Sequence, residues 1–393
     1  MKIFYITSLD SQKTGGLINA TFERVKRHAE YNDVFIVNNN YYKTTFINFL
    51  LKIFNKDSSI DTKLMDKNEI NGLAIYNQNI RISLFKYIKR LLQGSDAERI
   101  VKLYKEKQYR EIIDSNVIHA HWGMPHGYIA YLLGKEFKIP YFITLHGSDV
   151  NSVKEKNLSK LITALENADK CFFVSEELLN SAINKGYSGK NAVITYNGVD
   201  TEKFYLKNEF NKKFKKIGYV GSLEYKKGAD LLPKIFSNIH MRYPSTRFKI
   251  VGDGPLKLSL KKEISNLGIE DIVEFTGNVD KDSVPIFLND VDLVVIPSRM
   301  EGLGMVVLEA NAMGIPVVGS NVGGIPEAVG NYKNVFNLDN YFIFNISKRS
   351  IEILKNEDYK NNARLLRNRV EDSFNWDSIV SIEQKFYELS IKD

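Results

Sequence analysis

The feature that most constrains this chain is a rhythm. Short runs of β-branched and aromatic residues end in loops carrying Gly, His, Asp or Asn, and a helical stretch follows. The runs occur at residues 2–7, 34–37, 117–120, 141–145, 171–174 and 192–196, then restart at 217–220, 247–251, 272–275, 293–296 and 316–318. Helices alternating with apolar strands build parallel sheets covered on both faces. The two series predict an α/β chain of two Rossmann-like, doubly wound parallel-sheet domains. Asn197-Gly198 is a turn signal and residues 207–216 are polar, so the boundary is expected there. That gives a first domain at 1–206, a second at 207–372, and a closing helix within 373–393 expected to pack back on the first domain. Sheets of this kind bind ligands at the carboxyl ends of their strands, so two facing domains would hold ligands in a central cleft.

Composition narrows the function classes. At 393 residues the chain is longer than one ordinary core covers, and 44% apolar with 26% charged residues is a folded, not a disordered, composition. No run approaches the ~18 unbroken apolar residues of a membrane-spanning helix. Residues 1–7 read as a buried first strand, not a leader. The single cysteine, Cys171, lies in the apolar run Cys171-Phe172-Phe173-Val174 and reads as a small buried hydrophobe. It can build neither a disulfide framework nor a cysteine metal site within the chain, which favours a reducing cytoplasm. The net charge of +7 points to anionic company. No nucleic-acid fold signature accompanies it, so nucleic acid is not an expected partner.

Three segments could carry chemistry. Pro297-Ser298-Arg299-Met300-Glu301-Gly302-Leu303-Gly304 follows an apolar strand and leads into a helix through Met305, Val306 and Glu309. Its glycines let backbone approach a ligand, and free amides at a helix start attract an anion. Glu301 and Glu309, flanking that start, can hold hydroxyls of a sugar and of a ribose on either side of a diphosphate. A tight turn with two solvated carboxylates fits the same spacing. Gly221-Ser222-Leu223-Glu224-Tyr225-Lys226-Lys227-Gly228 again follows a strand, with two lysines where a helix from about Asp230 would begin. Those cations oppose the helix dipole, which makes sense if an anion sits between; a solvated basic turn is the alternative. Finally, His119, His121, His126 and His146 gather at two successive strand ends, with Asp149 beside the last. Without His-x3-His or cysteine spacing, substrate contacts or structural hydrogen bonds are better readings than zinc. Asp290-Val291-Asp292, a paired-aspartate metal signature elsewhere, runs straight into a strand and reads as structural.

With these segments in place the chain resembles glycosyltransferase family four, the retaining GT-B enzymes. The matches are Gly15-Gly16, His119-Ala120-His121, Thr144-Leu145-His146-Gly147-Ser148-Asp149, Tyr196-Asn197-Gly198-Val199-Asp200, Val220-Gly221-Ser222-Leu223 through Lys227-Gly228, Gly252-Asp253-Gly254-Pro255, Phe275-Thr276-Gly277-Asn278-Val279, Glu301 with Glu309, Gly323-Gly324-Ile325-Pro326-Glu327, and Asn375-Trp376. Each motif alone is weak, but their order from Gly15 to Trp376 is specific. The resemblance implies that His121, Lys227 and Glu301 carry the chemistry. Glu309 would hold the donor ribose, and Glu301 the donor sugar hydroxyls. The amides of Leu303, Gly304, Met305 and Val306 beside Gly302 would face sugar and phosphate. Lys227 would neutralise the leaving diphosphate, with Gly16 offering an amide from the other domain. His121 would contact the transferred sugar, Asn278 and Val279 would flank the base, and His146 and Asp149 are candidate acceptor or sugar contacts. Ser222 stands where many relatives carry a phosphate-binding arginine, so more charge would fall on Lys227, helped by Lys226 or Arg299.

Residues 41–56, from Tyr41 to Lys56, hold five aromatics and three lysines with no acid; residues 80–110, from Ile80 to Arg110, hold nine Lys or Arg against three Asp or Glu. These fit basic amphipathic elements on an anionic membrane, and equally helices packed on the first domain. The expectation is thus a retaining transferase, cytoplasmic and peripheral on the inner face of the plasma membrane, needing no metal or other cofactor. It would move a hexose or N-acetylhexosamine from a nucleotide diphosphate sugar, UDP ahead of GDP, to a glycan or lipid-linked acceptor in bacterial capsule, O-antigen or exopolysaccharide synthesis. A sugar-nucleotide epimerase of similar fold and a catalytically silent nucleotide-sugar-binding partner remain open.

Overall fold

Ile3, Phe4, Tyr5 and Ile6 are fully buried, as a strand covered on both faces by helices requires. They form β1 (Lys2–Thr7) at the middle of the first sheet. The computed structural model describes residues 1–9, 16–43, 65–70, 72–82, 96–206, 215–280, 282–356 and 359–392. Two units divide the chain: Met1–Thr195 with Val380–Asp393, and Tyr196–Ile379.

The first sheet adds β2 (Asp33–Lys43), β3 (Lys67–Ile70), β4 (Leu73–Ile82), β5 (Val117–His121), β6 (Tyr141–Leu145), β7 (Lys170–Phe173) and β8 (Ala192–Ile194), in the order β3-β4-β2-β1-β5-β6-β7-β8. Its pairs are parallel except β3 with β4. The second sheet holds β9 (Lys215–Val220), β10 (Thr246–Val251), β11 (Val273–Gly277), β12 (Leu293–Ile296), β13 (Val317–Ser320) and β14 (Val335–Phe336). It is parallel throughout, in the order β11-β10-β9-β12-β13-β14. Strand order therefore reverses between β1 and β5 in one unit and between β9 and β12 in the other. At such a reversal adjacent connections leave for opposite faces of the sheet, and a crevice opens at the carboxyl ends.

The division comes earlier than the polar stretch at 207–216. Tyr196 packs on Phe374 with ring centroids 5.1 Å apart, and Val199 N donates to Phe374 O at 3.0 Å. Arg367 donates to the carbonyls of Thr201 and Phe204, so residues 196–206 are bound to the second unit's helices. The last helix, Trp376–Lys392, begins in the second unit and joins the first at Val380.

Three strands were not expected: β3, β4 and β14. In β4, Ile80 and Ile82 end a buried strand and do not begin a surface helix. In the helix Ala97–Lys107, Ile100, Val101 and Tyr104 are buried in the first unit, so this part of the basic segment is a packed element. Residues 44–56 and 83–95 lie outside the described residues. No helix among the described residues is long and apolar enough to cross a membrane. Cys171 is fully buried, and burial pushes its thiol up to about 12.

Candidate active site

In the second unit, the turns after β9 and β12 are forced together by backbone contact. Gly228 has φ +66°, and a Cβ there would lie 1.8 Å from the Pro297 carbonyl oxygen. Arg299 N donates to Lys226 O at 2.8 Å. From the other side, a Cβ on Gly323 would lie 2.1 Å from the Glu301 carbonyl oxygen, and Gly324 N donates to Gly302 O at 3.0 Å. The glycines of the Lys227-Gly228 and Gly323-Gly324 motifs thus have one local purpose, which is to let backbone close on the Glu301 loop.

That closure brings Lys227 Nζ to 2.7 Å from Glu301 Oε1, which also accepts from Ser298 Oγ at 3.1 Å. The two charged side chains keep 28% and 16% of their surface exposed, half-buried yet within reach of a ligand. Lys226 and Arg299, expected as helpers to Lys227, are engaged elsewhere. Lys226 pairs with Glu224 at 2.8 Å, while Arg299 donates two bonds to Asp230 at 2.6 and 2.8 Å and lies 3.8 Å over the Tyr225 ring. A guanidinium held by a bidentate carboxylate and a ring face is a structural brace for the turn. The expected helix from Asp230 is, in its first turn, two 3-10 turns, Tyr225–Lys227 and Ala229–Leu231, with the α-helix at Leu232–Arg242.

Gly302, Leu303 and Gly304 lead into the helix Met305–Ala312, where Val307 N donates back to Gly304 O at 2.9 Å and the amides of Met305 and Val306 come before the first intrahelical acceptor. Glu309 is one turn past Met305 on the same helix face. Ser222 is half-buried in the β9 turn, its carbonyl accepting from Tyr219 OH at 3.0 Å. Asn278 and Val279 follow β11, the edge strand, with Asn278 exposed. Asp290 and Asp292 sit at the opposite, amino ends of the strands. Asp292 accepts from Lys216 N, and Asp290 pairs with Lys216 and Lys249. Among the described residues no group of three His, Cys, Asp or Glu could hold a metal ion.

In the first unit Gly16 opens the helix Gly16–Ala29 after β1; Gly15 lies outside the described residues. His119 is structural, hydrogen-bonded to Thr144 Oγ1 at 2.8 Å and Tyr387 OH at 2.5 Å. His126 donates from Nδ1 to the His121 carbonyl at 2.7 Å and meets Ser8 Oγ through Nε2. His121 Nδ1 and His146 Nε2 share a hydrogen bond of 3.0 Å, and His121 Nε2 and His146 Nδ1 have no partner among the described residues. Asp149 is turned onto backbone amides. Its carboxylate accepts from the amides of Gly123, His146 and Gly147, which fastens the ends of β5 and β6 together. Burial holds all four imidazoles low, His119 at about 3 and His126 at about 4, with His121 and His146 well below the usual value.

A buried group that the sequence did not announce lies behind this cluster. Arg24, His28 and Glu383 are fully buried; Arg24 and His28 both bond the Glu383 carboxylate, and Thr195 Oγ1 donates to it at 3.3 Å. Burial alone would raise that carboxyl, but Arg24 and then His28 overcome it and hold it at about 2.

The sequence as a whole matches known proteins. Residues 71–203 match the family described as Glycosyltransferase Family 4, and residues 200–369 the one described as Glycosyl transferases group 1. An uncharacterised glycosyltransferase of Methanocaldococcus jannaschii is 30% identical over 330 residues, 82% of this chain and 87% of the relative. The chain belongs to glycosyltransferase family 4. It is also 29% identical, over 73% of its length and 78% of the relative's, to N-acetyl-alpha-D-glucosaminyl L-malate synthase of Bacillus anthracis. Anabaena HepE in complex with UDP and glucose superposes with a TM-score of 0.70 at 18% identity, over 98% of both chains. The fold of this family 4 enzyme is GT-B, with two Rossmann-like parallel-sheet units, and its activity is glycosyl transfer using a nucleotide sugar.

Proposed function

We propose that this enzyme transfers a hexose or N-acetylhexosamine from a UDP-sugar, with retention of anomeric configuration, to a lipid-linked or oligosaccharide acceptor in surface-glycan synthesis. The observation that carries the reading is the Lys227–Glu301 pair, held at 2.7 Å where strand order reverses in the second sheet. Lys227 faces the diphosphate and compensates the charge that builds on it as the sugar leaves. Glu301 holds donor sugar hydroxyls, the amides of Leu303 to Val306 sit against sugar and phosphate, and Glu309 holds the ribose. Asn278 and Val279 flank the base, Gly16 adds an amide, and His121 meets a hydroxyl of the transferred sugar. HepE was solved with UDP and glucose, which favours UDP as the donor nucleotide.

Inversion needs a base on the face opposite the leaving group. The charged candidates instead surround the donor, which suits a departing diphosphate and an oxocarbenium-like sugar, with the leaving phosphate oxygen taking the acceptor's proton. Lys227 and the helix start supply the positive field, so activity is expected to survive EDTA. The basic residues of 41–56 and 80–110 that lie outside the packed elements, within 44–56 and 83–95, would attach the enzyme to anionic vesicles. Charge reversal at Lys86, Lys89 and Arg90 should then weaken sedimentation with vesicles by about 1 kcal/mol per residue, and unchanged sedimentation would refute this part. The main test is a donor screen with mass-tagged nucleotide sugars, followed by proton NMR of the product. An α-linked UDP-sugar should release UDP in the presence of a sugar acceptor and give an α-linked product. A β-linked product would overturn retention, and epimerised donor without transfer would revive the epimerase.

A further inference from the structure

We propose that His146 is a positioning residue for His121. Through their shared hydrogen bond it sets whether His121 Nε2 presents a proton or a lone pair to a hydroxyl of the bound sugar. The inference rests on the reading of His121 as a sugar contact.

Each uncharged imidazole has one N–H and one bare nitrogen. The bond between His121 Nδ1 and His146 Nε2 uses one of each. If His121 donates, its Nε2 is left as an acceptor and His146 keeps its proton on Nδ1. If His146 donates, His121 keeps a proton on Nε2 and His146 Nδ1 is the acceptor. The two outward nitrogens therefore always have opposite roles. Both are buried without a hydrogen-bond partner among the described residues, a costly condition unless a polar group meets them during function. A sugar hydroxyl both donates and accepts, so it can meet either form of His121. Exchange between the two forms passes one proton across the shared bond, while His121 Nε2 takes one from, or gives one to, the hydroxyl or water it meets and His146 Nδ1 does the reverse. The charge of the pair is unchanged.

The rest of the cluster keeps the coupling in place. The register β5–β6 sets His121 opposite Thr144, and the Asp149 carboxylate holds the amides of His146, Gly147 and Gly123. The His121 ring stacks on His119 at 4.8 Å and lies nearly coplanar with His146, edge to edge across their hydrogen bond with centroids 5.3 Å apart, so it does not turn away without losing contact. His119 and His126 have partners at both ring nitrogens, which leaves this pair as the adaptable element of the four.

The test combines long-range proton–nitrogen NMR of histidine-labelled, full-length enzyme with kinetics of H146F and H146Q. In the wild type without substrate, His121 and His146 should appear as uncharged imidazoles in the same tautomer, both protonated on Nδ1 or both on Nε2. In H146F the His121 pattern should change. The kcat of H146F should fall about tenfold or more with donor KM within about twofold, while H146Q, which keeps a polar group near the lost nitrogen, restores most of it. An unchanged His121 tautomer in H146F, or kcat within about twofold of wild type, overturns the proposal. Should H146F fail to fold, loss of kcat in H146Q without any change at the His121 nitrogens also overturns it. A wild-type enzyme inactive on every nucleotide sugar would sink the transferase reading, and the nitrogen spectra would still decide the coupling.

Discussion

In the second unit the loops after β9 and β12 leave a lysine and a carboxylate 2.7 Å apart and partly open, whereas in the first the ends of β5 and β6 bury four histidines. Burial keeps those imidazoles uncharged, and Arg24 and Glu383, two full charges that act on them, face each other. The contrast follows from what each region would meet. A diphosphate carries formal charge and is best met by a compact cation and helix-start amides. A sugar offers hydroxyls, which need donors and acceptors of fixed direction but no net field. A lysine tolerates half exposure for its task, while an imidazole pair keeps its orientation only in a packed setting.

The largest effect that would break this comparison concerns stability of the first unit. Glu383→Gln leaves Arg24 buried without its counter-charge and is expected to cost about 3–5 kcal/mol, read as faster amide hydrogen exchange in β1 and β5. Exchange protection equal to wild type would show that the buried pair is not what holds the last helix. The same cluster predicts the response to acid. An unfolded histidine binds its proton near 6.5, but His126 in place does so at about 4 and His119 at about 3. Between those values the unfolded chain takes up more protons, so stability falls as pH drops from about 6.5. Glu383, held at about 2, adds stability that is complete above the ordinary carboxyl value and disappears as pH falls towards 2. A pH-independent exchange pattern between pH 7 and 4 would contradict the uncharged cluster.

A smaller effect is expected in the second unit, on turnover rather than on folding. Lys227→Ala and Glu309→Ala should each remove a charge-assisted contact worth about 1.5–3 kcal/mol, roughly a 10- to 150-fold loss in kcat/KM with unchanged melting. Near-normal turnover in both would remove the proposed donor site.

What the sequence made legible was local. Lys227, Glu301 and Glu309 lie in loops and a helix directly after their strands, so motif order alone placed them at carboxyl ends. The buried Arg24–Glu383 contact spans 359 residues and the His119–Tyr387 contact 268, and no spacing rule reaches that far. Strand β2 continues through Asn38-Asn39-Asn40, residues that disfavour strands by intrinsic preference. In the fold they are matched across the register to β4: Asn38 donates to Asn77 at 2.7 Å and Asn40 to Asn79 at 2.8 Å, and Tyr104 donates to Asn39. Tertiary hydrogen bonds overrode local preference, which is also why Ile80 and Ile82 read as the start of a membrane-facing helix. The backbone ties of Asp149 were equally out of reach, since its three amide partners come from two strand ends.

The claim at the centre is that Lys227 meets the diphosphate of a nucleotide sugar, and paired calorimetry tests it most directly. Wild type and Lys227→Ala would be titrated with UDP and uridine, and with GDP and guanosine. The account predicts that in wild type a nucleoside diphosphate, UDP above GDP, binds at least about tenfold more tightly than its nucleoside. In Lys227→Ala that gap should shrink sharply while the weak binding of the nucleoside stays as it was. A gap that survives in Lys227→Ala, or a wild type that binds neither nucleoside diphosphate, would contradict it.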